Sequence, residues 1–312
     1  MLNSLNVRLF FLALVLNILL THVAGAQQNK ASNPQVFKSS CSVVLWGGYA
    51  YQFDTDLNQD SSFAIRSLFI QGGSVYQPHY NRSISFSVGY GHDGYDFSGY
   101  EINEQVPWQE VHSLRLSTPI RWGYRREWTL FAFPTLRFTA ESTSDWGNGI
   151  TGGGFTGFSY RFSDRLTIGP GIGVLSQLED DATIFPILII LWKITDRLSM
   201  ETGRGLAATQ GPGLTLNWEL TDKWNLFLGG RYEKERFRLV NDGPVPGGIG
   251  ENSSFPLFIG ATYSFTQKIR ASIVGGVKIG GELRQEDRQG RLVAQKDYDS
   301  APFLGLTYTG RF

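Results

Sequence analysis

Apolar and polar residues alternate along most of the chain with a period of two. Between residues 81 and 90, Ile84, Phe86, Val88 and Tyr90 are separated by single Ser or Gly residues. Successive side chains of a β-strand point to opposite faces, so this pattern predicts a strand with one apolar face and one small, polar face. The alternation returns at residues 114–122, 128–140, 214–220, 257–279 and 304–312. The chain is therefore predicted to be all-β.

Four short segments share one order of residue types: an aromatic residue, Ser or Thr, Asp or Gln, a cation, and an apolar residue. They occupy residues 160–166, 192–198, 218–224 and 263–269. Ser, Thr and Asp favour tight turns because their side chains hydrogen-bond to nearby backbone N–H groups. Flanking aromatic rings are typical of a membrane–water boundary. The predicted interface aromatics are Trp122, Trp128, Phe162, Trp192, Trp218, Trp224 and Phe265.

The remaining connections are longer and polar, at residues 54–61, 91–107, 141–149, 233–254 and 282–300. Short turns at one end and longer loops at the other are typical of outer-membrane β-barrels. Lipid offers no partners to a sheet edge, so a sheet in a membrane must close on itself. Residues 43–312 are predicted to form one antiparallel transmembrane β-barrel. Counting back from Phe312 gives about fourteen strands, and about twelve if residues 43–53 and 63–71 are not wall strands.

The first 26 residues have the pattern of a signal peptide. Arg8 precedes an apolar stretch at residues 9–20, and Ala24, Gly25 and Ala26 supply a small-x-small cleavage pattern. We expect residues 1–26 to be removed and residues 27–42 to form a periplasmic segment. The alternative is an uncleaved membrane anchor, for which the apolar stretch is short.

Composition agrees with a barrel and disfavours several other classes. The 312 residues include 37 Gly, 14% are aromatic, and only 18% are charged, which is below the usual quarter. A barrel needs apolar residues only at the alternate positions that meet lipid. The net charge of zero gives no electrostatic basis for binding nucleic acid. Cys41 is the single cysteine, so an internal disulfide is excluded.

The final strand and one internal segment resemble known proteins. Residues 304–312 carry apolar residues at Leu304, Leu306 and Tyr308 and end in Phe312. This resembles the assembly signal of outer-membrane proteins, with a departure at Gly310, where an aromatic residue is common. The resemblance implies location in the bacterial outer membrane, surrounding outer-membrane lipid, and the barrel assembly machinery as a partner. Residues 192–213 resemble an uncharacterised barrel family, a domain of unknown function without assigned catalytic residues.

Candidate catalytic groups are few. Outer-membrane lipases and deacylases place His and Ser two residues apart, so that both side chains share one face of a strand. The His residues after the predicted signal peptide are His79, His92 and His112, and Ser113 directly follows His112 on the opposite face. The sequence therefore predicts no catalytic site, and it assigns no cofactor or metal.

Charged residues at inward positions of the strands supply the candidate site. On the lipid face an Arg or Lys near the midplane costs about 2–4 kcal/mol, so inward placement is expected. One hypothesis is a pore or transporter for small solutes, with anion preference because Arg outnumbers Glu. The alternative is a structural barrel filled by salt bridges, whose loops 233–254 and 282–300 bind surface partners; an outer-membrane enzyme is third. The predicted lumen residues are Arg115, Arg121, Arg137, Arg161, Glu201, Glu219, Arg231, Glu233, Arg270, Lys278 and Arg311.

Overall fold

The computed structural model describes residues 38–58, 61–99, 106–144, 146–202 and 213–312. The predicted signal peptide and most of the predicted periplasmic segment lie outside the described residues. The barrel begins at Ser40, three residues before the predicted boundary at Val43. No helix in the described ranges is long and apolar enough to cross a membrane.

Within these described ranges, the regular elements are seventeen β-strand segments and one short 3-10 helix at Trp146–Gly149. The strand segments are β1 (Ser40–Asn58), β2 (Ser61–His79), β3 (Arg82–Ser98), β4 (Glu110–Ser117), β5 (Ile120–Tyr124), β6 (Trp128–Glu141), β7 (Ile150–Arg161), β8 (Leu166–Gln177), β9 (Asp180–Lys193), β10 (Leu198–Thr202), β11 (Gly213–Glu219), β12 (Trp224–Arg231), β13 (Glu233–Arg238), β14 (Ile249–Ser264), β15 (Ile269–Glu286), β16 (Leu292–Tyr298) and β17 (Ala301–Arg311).

The segments form one closed antiparallel barrel. Each wall strand pairs with its neighbours in the chain, and β1 pairs with both β2 and β17, so that Tyr49 lies between Leu68 and Leu306. Three wall strands are interrupted once each, and β4 continues as β5, β12 as β13, and β16 as β17. The seventeen segments therefore make fourteen wall strands, which confirms the predicted fold.

The outer surface of the wall is apolar. On β3, Ile84, Phe86 and Val88 expose 40–51% of their surface, and Ser or Gly residues lie between them on the inner face. All seven predicted interface aromatics are exposed, by 39–63%, near the end of the barrel that carries the short turns. We call this the turn end, defined by residues 162–165, 194–197, 220–223 and 265–268, and we call the opposite end the loop end.

The four short turns share one hydrogen bond. In each turn, the Ser or Thr hydroxyl accepts a hydrogen bond from the backbone N–H three residues further on, as the sequence predicts. The donor–acceptor distances are 3.1 Å at Ser163, 2.9 Å at Thr195, 3.1 Å at Thr221 and 3.1 Å at Thr266.

At the loop end, four strands bend into the lumen along one line. Tyr232 separates β12 from β13, β14 has a bulge between Ser253 and Phe255, Gly280 of β15 has a φ of +57°, and residues 299–300 separate β16 from β17. These irregularities lie at one level, because Phe255 pairs with Ile279 and Lys278 pairs with Ala301. The strand portions beyond this line are residues 233–238, 249–254, 281–286 and 292–298, and we call them the inner sheet.

The inner sheet crosses the lumen. Arg238 of β13 pairs with Ala140 of β6 on another part of the wall, and its guanidinium donates to the backbone oxygen of Asn148 at 3.0 Å. Gly281 is required where the sheet bends, since a methyl group at this position would overlap the ring of Tyr298. The prediction of loops at residues 233–254 and 282–300 is therefore wrong for most of their length. Their charged residues suggested solvent exposure, but several of these residues pair inside the barrel.

The shared turn hydrogen bond gives a test of the local folding rule. Thr221→Val removes the hydroxyl but keeps the shape of the side chain, and it is expected to lower the free energy of unfolding by about 1 kcal/mol. The measurement is urea-induced unfolding of the barrel in detergent micelles. Thr221→Ser keeps the hydroxyl and is the control; equal stability of the two variants would contradict the role of this hydrogen bond.

Candidate functional site

An aromatic cluster closes the lumen at the loop end. Phe63, Tyr95 and Trp108 come from the wall side, and Phe237 and Tyr298 come from the inner sheet. The ring centroids of Trp108 and Phe237 are 5.1 Å apart, and those of Phe63 and Tyr298 are 5.0 Å apart. All five side chains are buried, and Phe63 and Phe237 have no exposed surface. We call these five residues the aromatic plug.

Hydrogen bonds fix the inner sheet to the wall beside the plug. The amide of Asn252 donates to the Tyr95 hydroxyl and accepts from the Tyr298 hydroxyl, both at 3.1 Å. Gln285 donates to the backbone oxygen of Pro107 at 3.2 Å. Each polar group at this depth has lost water, so these bonds also remove the cost of burying it.

A buried ion-pair network holds the strands of the inner sheet together. Arg236 lies 2.7 Å from a carboxylate oxygen of Glu251 and 2.7 Å from one of Glu286, and it also donates to the backbone oxygen of Leu178. The Glu251 side chain is only 3% exposed and also pairs with Lys234 at 3.0 Å. Arg236 therefore joins β13, β14, β15 and the β8–β9 connection.

A cavity of about 200 Å³ lies below the inner sheet, inside the barrel. This is smaller than the ~300–1,000 Å³ typical of sites for drug-sized ligands. Its lining combines aromatic surface from Trp46, Tyr95 and Phe303 with many polar groups. The polar lining residues are Gln52, Ser67, Gln71, Asp93, Ser113, Arg115, Arg231, Glu233, Lys234, Glu235, Asn252, Ser254, Lys278 and Thr307.

The charges around the cavity are nearly balanced. Four cationic side chains, Arg115, Arg231, Lys234 and Lys278, face three carboxylates, Asp93, Glu233 and Glu235. Arg231 and Glu233 form a direct salt bridge. A charge away from water is tolerated when it is paired, so the mixture of signs explains how this many ionic groups fit inside the barrel.

The Gln52 amide is exceptional among the cavity-lining groups. The side chain is buried, with 3% of the residue surface exposed, and within the described part of the chain neither its amide nitrogen nor its amide oxygen has a hydrogen-bond partner. The Nε atom of Arg115 is likewise without a partner in the described residues. Buried polar groups are normally hydrogen-bonded, so these atoms retain unused hydrogen-bonding capacity beside the cavity.

A second pocket of about 370 Å³ lies on the loop-end side of the plug. Trp108 and Leu239 form part of its floor, and Glu110, Glu141 and Asp242 contribute carboxylates. Trp108 also contacts Tyr95, which lines the inner cavity, at a ring distance of 5.6 Å. The aromatic plug therefore separates an outer pocket from an inner cavity.

The structure brings only some of the predicted lumen residues together. Arg115, Arg231, Glu233 and Lys278 line the cavity, and Arg137 is the register partner of Arg115. Arg311 donates to the Ser42 hydroxyl at 3.1 Å, near the turn end. Six predicted lumen residues do not line the cavity. They occupy inward-facing strand positions between the cavity and the turn end: Arg121, Arg161, Glu201, Glu219, Arg270 and Arg311.

Two cavity carboxylates were missed by the sequence analysis. Asp93 lies an even number of residues from the inward-facing Ser85 and Ser87 on β3, so strand alternation predicts that it faces inward too. Glu235 falls in residues 233–254, which the sequence predicts to be a polar connection, and the alternation of a strand does not apply to such a segment. His112 and Ser113 lie on opposite faces of β4, with Ser113 at the cavity, as their adjacency predicts.

Comparisons with known proteins give structural neighbours only. No family model matches the chain, and no curated protein matches its sequence, so the resemblance of residues 192–213 to an uncharacterised family stays a prediction. An outer-membrane channel from Pseudomonas putida F1 is similar, with a TM-score of 0.48, 11% identity, and coverage of 92% of this chain and 100% of that chain. A Pseudomonas aeruginosa FadL homologue has a TM-score of 0.47 and 11% identity, with coverage of 87% of this chain and 89% of that chain. The P. putida toluene transporter TodX has a TM-score of 0.43 and 9% identity, with coverage of 87% of this chain and 90% of that chain.

Removal of Arg236 is expected to loosen the inner sheet. Arg236→Ala leaves Glu251 and Glu286 buried without this partner, which costs about 3–5 kcal/mol for a buried ion pair. Hydrogen exchange of residues 233–254, measured by mass spectrometry in detergent, should become faster while exchange in the barrel wall is unchanged. Arg291→Ala is the control, because its ion pair with Asp287 is exposed; equal effects of the two variants would contradict the role of Arg236.

Proposed function

We propose that this protein is an outer-membrane β-barrel that passes a small polar solute through its lumen, and that the inner sheet closes the mouth in the state described here. The membrane location is supported by the closed sheet, by the exposed apolar outer face, and by the aromatic residues at the turn end. The loop end then faces outward and the turn end faces the periplasm.

The observation that carries the solute hypothesis is the cavity of about 200 Å³ inside the barrel, with charged side chains in its lining and the Gln52 amide at its wall. A barrel with a purely structural interior would satisfy its buried polar groups internally. Here both polar atoms of the Gln52 amide have no partner within the described residues, and a polar solute that displaced a neighbouring side chain would pair with them. The small volume and the mixed charges favour a small polar or zwitterionic solute.

Passage through this barrel requires movement of the inner sheet. The outer pocket and the inner cavity are separated by Trp108, Tyr95 and Phe237. The line of strand irregularities at Tyr232 and Gly280 is the natural hinge, because the ladder hydrogen bonds are already interrupted there. Rotation about this line would withdraw Phe237 and Tyr298 together and connect the two spaces.

Selectivity is expected to be modest. The four cations of the cavity face three carboxylates, and the fourth cation, Lys234, pairs with Glu251, so the cavity itself is balanced. Toward the turn end, Arg121, Arg161, Arg270 and Arg311 outnumber Glu201 and Glu219 among the predicted lumen residues. The expected anion preference therefore arises near the turn end.

A structural or interaction barrel is the second candidate. It is favoured by the buried network of Arg236, Glu251 and Glu286, which fills the loop end of the lumen with paired groups. In this case the inner sheet would be a permanent part of the fold, and the outer pocket would be the surface that meets a partner. The two candidates differ in whether opening the plug creates a conducting path.

Phe237→Ala is expected to open the plug. The substitution removes a fully buried ring that contacts Trp108 at the centre of the cluster. Single-channel recording in planar bilayers should show at least a tenfold higher open probability than for the unmodified protein, and a salt gradient should show weak anion preference. Ile259→Ala, which alters the exposed outer face of β14 away from the hinge line, is the control. A folded Phe237→Ala protein that stays electrically silent would favour the structural barrel.

We further propose that the barrel assembly machinery recognises the last strand. Leu304, Leu306, Tyr308 and Phe312 are all exposed on the outer face, and Phe312 exchanges backbone hydrogen bonds with Val43 at 2.8–2.9 Å. Phe312→Ala should reduce the amount of heat-modifiable protein in outer-membrane fractions several-fold. The same variant refolded in detergent should be as stable as the unmodified protein, since the ring contributes little burial. An unchanged amount in the membrane would contradict this recognition.

A further inference from the structure

The outer face of the wall carries a His and Glu cluster close to the loop end. His92 of β3 and His112 of β4 are register partners, so their side chains leave the sheet on the same face. Glu110 is two residues from His112 and therefore shares that face. The ring centroids of the two histidines are 4.8 Å apart.

The three side chains converge closely enough to share one ion. One ligand atom from each of His92, Glu110 and His112 lies within 4.8 Å of the others. Ligands at about 2.0–2.1 Å around tetrahedral Zn²⁺ are about 3.3 Å apart. Glu110 is exposed and both histidines are half-buried, so small side-chain rotations can provide the remaining approach.

Neighbouring hydroxyl groups orient the His112 ring. Nδ1 of His112 lies 2.8 Å from the Tyr90 hydroxyl, and Nε2 lies 2.8 Å from the Ser142 hydroxyl. The Ser142 hydroxyl also donates to Glu110 at 2.9 Å. Metal-binding histidines commonly have their second ring nitrogen held by such a partner. An ion at one nitrogen of His112 would replace one of these bonds and keep the other.

The cluster lies on the other side of the wall from the inner cavity, and its Glu110 also reaches the outer pocket. It lies beyond the apolar outer residues Phe86 and Val88 of β3, toward the loop end. The residues beside it in sequence, Asp93 and Ser113, line the inner cavity on the other side of the wall. An ion at the cluster would therefore sit at the membrane boundary and would link β3 to β4.

We propose that His92, Glu110 and His112 form a binding site for a divalent transition-metal ion of the Zn²⁺ class. Two imidazoles and one carboxylate are a ligand set that suits Zn²⁺, and three protein ligands leave a fourth position for water or an external ligand. Glu110 also lines the outer pocket, but His92 and His112 lie on the outer face of the wall, so Zn²⁺ binding can be measured without solute passage.

The test is calorimetric titration of Zn²⁺ into the folded protein in detergent micelles. The protein carries no histidine tag and has Cys41→Ser, because the exposed thiol of Cys41 is another possible ligand. One ion should bind per chain. His92→Ala and Glu110→Gln should each weaken binding at least tenfold, whereas His79→Ala, which removes a histidine at the turn end, should leave the affinity unchanged.

Two results would overturn the proposal. One is the absence of saturable Zn²⁺ binding by the folded parent protein. The other is full affinity in His92→Ala. His92→Ala is expected to fold like the parent protein, because the side chain lies on the outer face. If its heat-modifiable migration in gels matches that of the parent, unfolding cannot account for a loss of Zn²⁺ affinity. Visible absorption of bound Co²⁺ gives a second readout: bands typical of tetrahedral coordination should appear in the parent and in His79→Ala, and disappear in His92→Ala.

Discussion

Closure of the sheet is the constraint on which the structure depends. Nine consecutive register pairs join β1 to β17, from Val44 with Arg311 to Gln52 with Phe303. These pairs satisfy the backbone groups that an open sheet would leave exposed to lipid. Once the sheet is closed, alternation along each strand divides its side chains between an apolar outer face and an enclosed interior. The positions of the cavity residues follow from that division.

The interior of a closed barrel must be occupied either by protein or by water. In this chain, strand segments of the inner sheet fill the interior at the loop end. Residues 233–238 contain five charged side chains and Phe237. Arg236 and Arg238 pair with carboxylates from other elements, and Phe237 enters the aromatic plug. Residues 233–238 have the composition of a surface loop. They can nevertheless be buried, because their charged side chains form ion pairs inside the barrel.

Local patterns predicted much of the fold, and long-range pairing accounts for the errors. The period of two, the four Ser or Thr turns and the count of strands depend on neighbouring residues, and these features appear in the structure. The inward bend depends on the pairing of Arg238 with Ala140, which are 98 positions apart, and no local pattern encodes it. The approach of His92 to His112 likewise needs the register of β3 against β4. Asp93 could have been found by extending the parity of β3 past Tyr90.

The aromatic plug also joins the two ends of the barrel sequence. Phe63, Tyr95 and Trp108 belong to the first 108 residues, whereas Phe237 and Tyr298 belong to the last 76. The rings cannot meet until the last strands have paired with the first ones. The aromatic plug and the β1–β17 pairing that closes the sheet therefore form together. A barrel that lacked its final strands would therefore have an open wall and an unplugged lumen at the same time.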